Sequence, residues 1–165
     1  MTVFPPAPVR AVIGLGANLG DARAAMTDAA AALAGLPGTR VSAVSTWRPT
    51  APVGGPPGQP GFFNGACLIE TLLAPRALLA ACHAIEAGLG RDRARETVRH
   101  GPRAIDLDIV LYGNEIVLGP GLRIPHPEFR DRAFVLEPAA EIAGDFHDPE
   151  TGLPLARLWR RCIAR

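Results

Sequence analysis

One stretch narrows the possible folds more than any other. Arg103 to Tyr112 reads Arg-Ala-Ile-Asp-Leu-Asp-Ile-Val-Leu-Tyr. Side chains of an extended chain alternate between two faces. Ile105, Leu107, Ile109 and Leu111 are therefore expected on one face, with Asp106 and Asp108 together on the other. Such a strand belongs in a sheet packed on one side and open on the other. Adjacent ionised carboxylates repel each other. A hard divalent cation, which takes oxygen ligands, turns that repulsion into coordination. Alternation alone says only that one face is wet. Upstream, however, Gly90 to Arg103 carries five arginines against two acids. A metal-type carboxylate pair beside a guanidinium-rich loop suits a polyphosphate: magnesium bridges its oxygens, and arginine forks bind the rest.

The whole chain sets further bounds. Its 165 residues suit one domain, expected over 9–165, with the proline-rich 1–8 as a loose arm. The formal net charge is +1, so no global field favours nucleic acid. Every basic residue is arginine, which excludes a Walker lysine, a Schiff-base lysine and a lysine general base. Cys67, Cys82 and Cys162 are far apart and form no Cys-x-x-Cys. They suggest free thiols in a reducing compartment, not zinc ligands or a disulfide framework. No stretch has the length or apolarity of a membrane span or a secretion signal. The expectation is a cytoplasmic monomer with no membrane or nucleic-acid partner.

Along the chain, Val9 to Leu15 suggests a strand, and Gly16 to Asp21 a tight turn. Gly14, Gly16 and Gly20 miss the dinucleotide spacing, because Leu19 stands where the third glycine belongs. Ala22 to Leu33 suggests a helix, and Val41 to Trp47 a strand. Pro49 to Gly61 carries five prolines and four glycines, a density that predicts a long loop with a lid role. Phe62 to Thr71 resumes as a strand. In it Asn64 is a polar residue on a wet face, or an amide that reads a heterocycle edge. Phe62 is core, or a stacking face if it borders the lid. Pro75 to Leu89 predicts a helix. Glu86 sits near its C-terminal end, unfavourably for the dipole, so an arginine or a site wall is expected to hold it. After the Asp-x-Asp strand, Gly113-Asn114 predicts a hairpin to Glu115–Leu118. His126 is held extended between Pro125 and Pro127. It is either structural or a phosphate contact. Helices are expected up to Ala143 and over Leu153–Ile163. The order strand-helix-strand-strand-helix-strand predicts an α+β, ferredoxin-like, antiparallel-rich sheet covered by helices.

Several segments then resemble one family, in its order. They are Gly14-Leu15-Gly16-Ala17-Asn18-Leu19-Gly20, Phe62-Phe63-Asn64-Gly65-Ala66, Gly101-Pro102-Arg103-Ala104-Ile105-Asp106-Leu107-Asp108-Ile109, and Pro125-His126-Pro127 continued by Arg132-Ala133-Phe134. They resemble 6-hydroxymethyl-7,8-dihydropterin pyrophosphokinase from about Val9 to Ala143. The resemblance implies transfer of pyrophosphate from MgATP to the hydroxymethyl group of a reduced pterin, releasing AMP, in folate biosynthesis. On matching positions it implies that Asp106 and Asp108 hold two Mg²⁺ ions. Arg91, Arg103, His126 and Arg132 would face ATP, with Glu86 near the nucleotide. Phe62 and Phe134 would sandwich the pterin, and Asn64 would bond its edge. This chain departs from the family at His100, where tryptophan is expected before Gly-Pro, and in a longer arginine loop without lysine.

Two other classes fit parts of the pattern. A two-metal phosphoesterase would use the same carboxylates to activate water. An RNA-binding module of ferredoxin-like plan would use sheet aromatics, but the chain lacks the aromatic strand motif and the positive charge.

Overall fold

A computed structural model describes residues 6–96 and 98–165. Its elements are β1 (Val9–Ala17), α1 (Ala22–Ala34), β2 (Thr39–Val44), β3 (Arg48–Thr50), β4 (Phe62–Thr71), α2 (Pro75–Gly88), β5 (Asp106–Tyr112), β6 (Val117–Gly119), β7 (Leu122–Ile124), α3 (Ala133–Ala143) and α4 (Leu155–Ile163). The main sheet has the order β2-β4-β1-β5, and every neighbouring pair is antiparallel. This is the expected ferredoxin-like α+β plan. Of the arm foreseen over 1–8, residues 1–5 lie outside the described residues, and Pro6 to Pro8 are exposed and irregular.

Local chemistry sets the helices. The Asp21 carboxylate accepts from the Ala24 N–H at 3.1 Å, capping the alanine-rich α1. Pro75 occupies the first turn of α2, where its missing N–H costs nothing. Both helices cover the back of the sheet. There Met26, Ala29, Leu33, Leu78 and Cys82 pack with Ile13, Leu15, Leu107 and Ile109. On the front, α3 and α4 cover Val12, Ala66, Leu68 and Val110 through Leu136, Ala139, Leu155 and Leu158. They cover only part of it, and the remaining front surface is the site described below.

Four expectations need correction. Leu111 does not share a face with Ile109. The register shifts between Ile13–Ile109 and Val12–Leu111, leaving Val110 as an extra residue. This bulge turns both Val110 and Leu111 toward α3 and α4. The strand foreseen over 41–47 is broken: β2 ends at Val44, and β3 continues along the same edge of β4. Between them the Trp47 ring lies on Gly65, where a Cβ would sit 2.3 Å from Trp47 Cε3. The loop foreseen from Pro49 starts later, because Pro49 and Thr50 pair with Phe63 and Phe62. Proline is tolerated on an edge strand, whose outer side needs no N–H donor. The hairpin after Gly113 is formed by β6 with β7, not with β5. The outer edge of β5 is met instead by His126, whose N–H donates to the Val110 carbonyl at 3.0 Å.

Candidate active site

Directly paired residues of antiparallel strands share a face. Gly16 pairs with Asp106 on one side and Asn64 on the other, and Gly14 pairs with Asp108 and Ala66. The two glycines thus make a floor without side chains between an amide and two carboxylates. A Cβ at Gly16 would stand 2.9 Å from Asn64 Oδ1, and one at Gly14 would stand 3.3 Å from Val110 Cγ2. Any other residue would fill the space over the floor. The glycines therefore leave the floor open between the Asn64 amide and the two carboxylates.

Above this floor is a front cavity of about 260 Å³. Phe62, Asn64, Arg103, Asp106, Asp108, His126, Arg132 and Phe134 all line it, eight of the ten residues singled out from the sequence. Asn64 Nδ2 donates to Thr50 Oγ1 at 2.5 Å, which fixes the amide plane. Val53, Gly54 and His100 line the same cavity, from the Pro/Gly loop and the arginine loop.

Arg91 and Glu86 do not line it. Glu86, foreseen beside the nucleotide, is 1% exposed. Its carboxylate accepts from Arg91, from Arg93 Nη2 at 2.8 Å and from the Leu107 N–H at 3.1 Å. It caps the free edge of β5, which also answers its poor placement on the helix dipole. Arg91 spreads its guanidinium over Glu86, Glu96 (2.6 Å from Nε), the Ile105 carbonyl and Asp106 Oδ1 (2.7 Å). Its side chain is 5% exposed. Both residues therefore work behind the carboxylate pair.

The two aspartates differ because their neighbours differ. Asp106 is gripped by Arg91 on Oδ1 and by Arg103 Nη1 on Oδ2 at 3.1 Å. Burial resists its ionisation, yet Arg103 and Arg91 prevail and hold it below the usual carboxylate range. Asp108 lacks such a grip. Burial first, then the Asp106 and Glu86 charges, push it up to about 7. His126 Nε2 lies 4.0 Å from Asp108 Oδ2. His126 Nδ1 accepts from the Glu128 N–H at 3.2 Å, so the neutral ring carries its proton on the side facing Asp108. Burial and Arg132 lower the imidazole pKa and favour that neutral form.

A second, side cavity of about 440 Å³ opens between α2 and the β6–β7 hairpin. Leu79, His83, Arg93, Ile109 and Arg123 line it, together with Asp108 and His126, which belong to both cavities. His83 and Arg123 were not singled out from the sequence. Arg123 could have been found as the exposed residue between the buried Leu122 and Ile124. His83 carries no such signal, because it joins the site only when α2 meets β5.

Among the described residues, no third His, Cys, Asp or Glu joins Asp106 and Asp108 in a metal-holding group. Two carboxylates are a donor set suited to magnesium, which completes its shell with phosphate oxygens and water.

The family described as 7,8-dihydro-6-hydroxymethylpterin-pyrophosphokinase (HPPK) matches residues 12–144. The 2-amino-4-hydroxy-6-hydroxymethyldihydropteridine pyrophosphokinase of Methylorubrum extorquens is 47% identical over 136 residues, covering 82% of this chain and 84% of that protein. The protein of the same name from Pseudomonas aeruginosa is 42% identical over 153 residues, covering 93% and 91%. Among solved structures, Plasmodium falciparum HPPK-DHPS superposes with a TM-score of 0.74 at 12% identity. That match covers 96% of this chain but 44% of the other, so this chain spans under half of the Plasmodium chain, and the likeness shows the fold. With the family matched over most of its length and two relatives above 40% identity, the chain belongs to the 7,8-dihydro-6-hydroxymethylpterin-pyrophosphokinase family.

Proposed function

We propose that this chain transfers pyrophosphate from MgATP to the hydroxymethyl group of 6-hydroxymethyl-7,8-dihydropterin, releasing AMP, as a step of folate biosynthesis. The observation that carries the reading is that two cavities of different character meet at Asp108 and His126. The front cavity suits the pterin: Phe62 and Phe134 offer aromatic faces, Asn64 a fixed amide, and Gly14 and Gly16 a flat floor. The side cavity suits ATP, with apolar Leu79 for the base and Arg93 and Arg123 for charge.

In the reaction the pterin hydroxyl oxygen forms a bond to the β-phosphorus. The bond from that phosphorus to the bridging α-oxygen breaks, AMP departs with the bridging oxygen, and the hydroxyl proton passes to solvent water. Such transfer needs positioning and charge neutralisation more than a strong base. Asp106 and Asp108 are assigned to two Mg²⁺ ions, which would supply neutralisation of the phosphate charge. His126, where the cavities join, and Arg103 and Arg132, which line the front cavity, are assigned to the phosphates. Arg91 and Glu86 are assigned to positioning, since they hold Asp106 and the β5 edge from behind.

The domain is taken as residues 9–165, acting as a monomer, because one chain supplies both cavities. A cytoplasmic location is supported by the free thiols of Cys67, Cys82 and Cys162. Incubation with MgATP and the pterin, followed by separation of nucleotides, tests the reaction. AMP formed only when pterin is present is the expected result. Phosphate release that needs only water would assign the site to a phosphoesterase.

A further inference from the structure

A buried amide joins three segments that the chemistry above leaves unexplained. Asn18, at the end of β1, is 5% exposed. Its N–H donates to the Arg103 carbonyl at 3.2 Å, and its Oδ1 accepts from the Arg103 N–H at 2.9 Å. Its Nδ2 donates to Gln59 Oε1 at 3.2 Å and to the Pro60 carbonyl at 3.1 Å. Gln59 continues the chain of bonds. Its Nε2 donates to the carbonyls of Gly54 and His100, each at 3.1 Å. These bonds link the Pro/Gly loop to the arginine loop across 41 residues of sequence. They also lead to the reacting groups, because Arg103 grips Asp106.

The backbone is shaped for the junction. Among the described residues, His100 is the one non-glycine at positive φ, at 57°. That conformation is uncommon for a side-chain-bearing residue and persists only where its surroundings impose it. Opposite it stands Gly55, at φ 77°. A Cβ there would lie 2.2 Å from the His100 carbonyl oxygen and 2.6 Å from Gln59 Nε2. Glycine is thus needed at Gly55 both for its angle and for the approach of the two loops.

We infer that Gln59 and Asn18 form a clasp that fastens the Pro/Gly loop to the arginine loop, making them positioning residues for enclosure of the pterin. The inference rests on the reaction assigned above. Val53 and Gly54 line the front cavity on one side of the clasp, and His100 and Arg103 on the other. Holding these groups together sets both the roof over the heterocycle and the arginine that orients Asp106. Neither Gln59 nor Asn18 lines the cavity, so they act through other groups.

Amide hydrogen exchange without added substrate tests the clasp independently of the reaction. Gln59→Ala removes two donors, so exchange at Gly101 and Arg103, both more than 40 residues along the chain from the substitution, should rise about tenfold. Gly55→Ala would set a Cβ against both the His100 carbonyl and Gln59 Nε2, forcing the two loops apart, and should raise exchange at the same amides. The melting temperature should stay near wild type in Gln59→Ala, because the residue is half-buried in a loop. In turnover, Gln59→Ala should raise the pterin KM about tenfold and leave the ATP KM near wild type. General destabilisation would instead lower the melting temperature and weaken both substrates together, which would overturn the positioning role. Wild-type exchange at Gly101 and Arg103 in either variant overturns the clasp. A wild-type protein that forms no AMP from ATP and pterin overturns the reaction assignment, and the positioning role with it.

Discussion

On the back of the β1–β5 pair, Ile13, Leu15, Leu107 and Ile109 are each no more than 4% exposed. On the front, the intervening positions are Gly14, Gly16, Asp106 and Asp108, around an open cavity. The same two strands build both faces. The difference teaches a division of labour set by the two-residue period. Two neighbouring carboxylates repel each other and cannot hold themselves in place. The apolar side chains between them fix the backbone from behind, and Arg91 and Arg103 fix Asp106 from the side. The front face is thereby free to serve a ligand.

The sharpest way to break the comparison is to remove a front carboxylate. Asp106→Ala and Asp108→Ala should each abolish measurable turnover while the protein stays folded. Loss of a metal ligand forfeits transition-state charge neutralisation worth several kcal/mol, which is roughly a thousandfold in rate or more. AMP formation at saturating magnesium, measured beside circular dichroism, checks both halves. Near-wild-type activity in either variant would remove that residue from the metal site.

The matching change on the back should do the reverse. Ile13→Ala should cost about 2–5 kcal/mol of stability, as deletion of a fully packed isoleucine does; Ile13 is buried in the back core and lines neither cavity. Turnover per folded molecule should fall far less than in the aspartate variants. Urea titration together with an active-site count separates the two quantities. A thousandfold loss of turnover in well-folded Ile13→Ala would show that the faces are not independent.

Much of this division was legible in the sequence. Alternation placed Asp106 and Asp108 together, and the order of elements pointed to the ferredoxin-like sheet. Composition could not show the bulge at Val110, which depends on the register between β5 and β1. It gave no hint that Gly14 and Gly16 would form an open floor, because that floor exists only once Asn64 and Asp106 flank them. The Pro/Gly stretch suggested a loop, but not that Pro49 and Thr50 would pair before it. Glu86 was recognised as misplaced on its helix. Its partner Leu107 N–H is 21 residues away, beyond the reach of local reasoning. Single-strand patterns were visible, whereas features made by two segments meeting were not.

The smallest expected effect concerns the proton on Asp108. Burial, then the Asp106 and Glu86 charges, push this carboxyl up to about 7, whereas in an unfolded chain it titrates near about 4. Between those values the unfolded state loses its proton first, so rising pH favours unfolding and stability falls across that window. His126 works in the opposite sense. Burial and Arg132 lower its pKa, so the folded ring resists protonation and stability falls as pH drops below about 6.5. Comparison with Asp108→Asn, which keeps His126, cancels that second contribution. The melting temperature of Asp108→Asn minus that of wild type should therefore grow as pH rises from about 4 to about 7, then level off. Asp108 is crowded by protein on its inner side, yet 43% of its side chain still faces the open cavity, so water screens the effect and the sign of the change, not its size, is the prediction. Magnesium should reverse the trend in wild type, since a bound cation favours the carboxylate, and should leave Asp108→Asn almost unmoved. Thermal melts at a series of pH values, with and without magnesium, give all four curves. A difference that stays flat across the window would show that Asp108 titrates as an ordinary surface carboxylate, and that the front face imposes no strain on its charge.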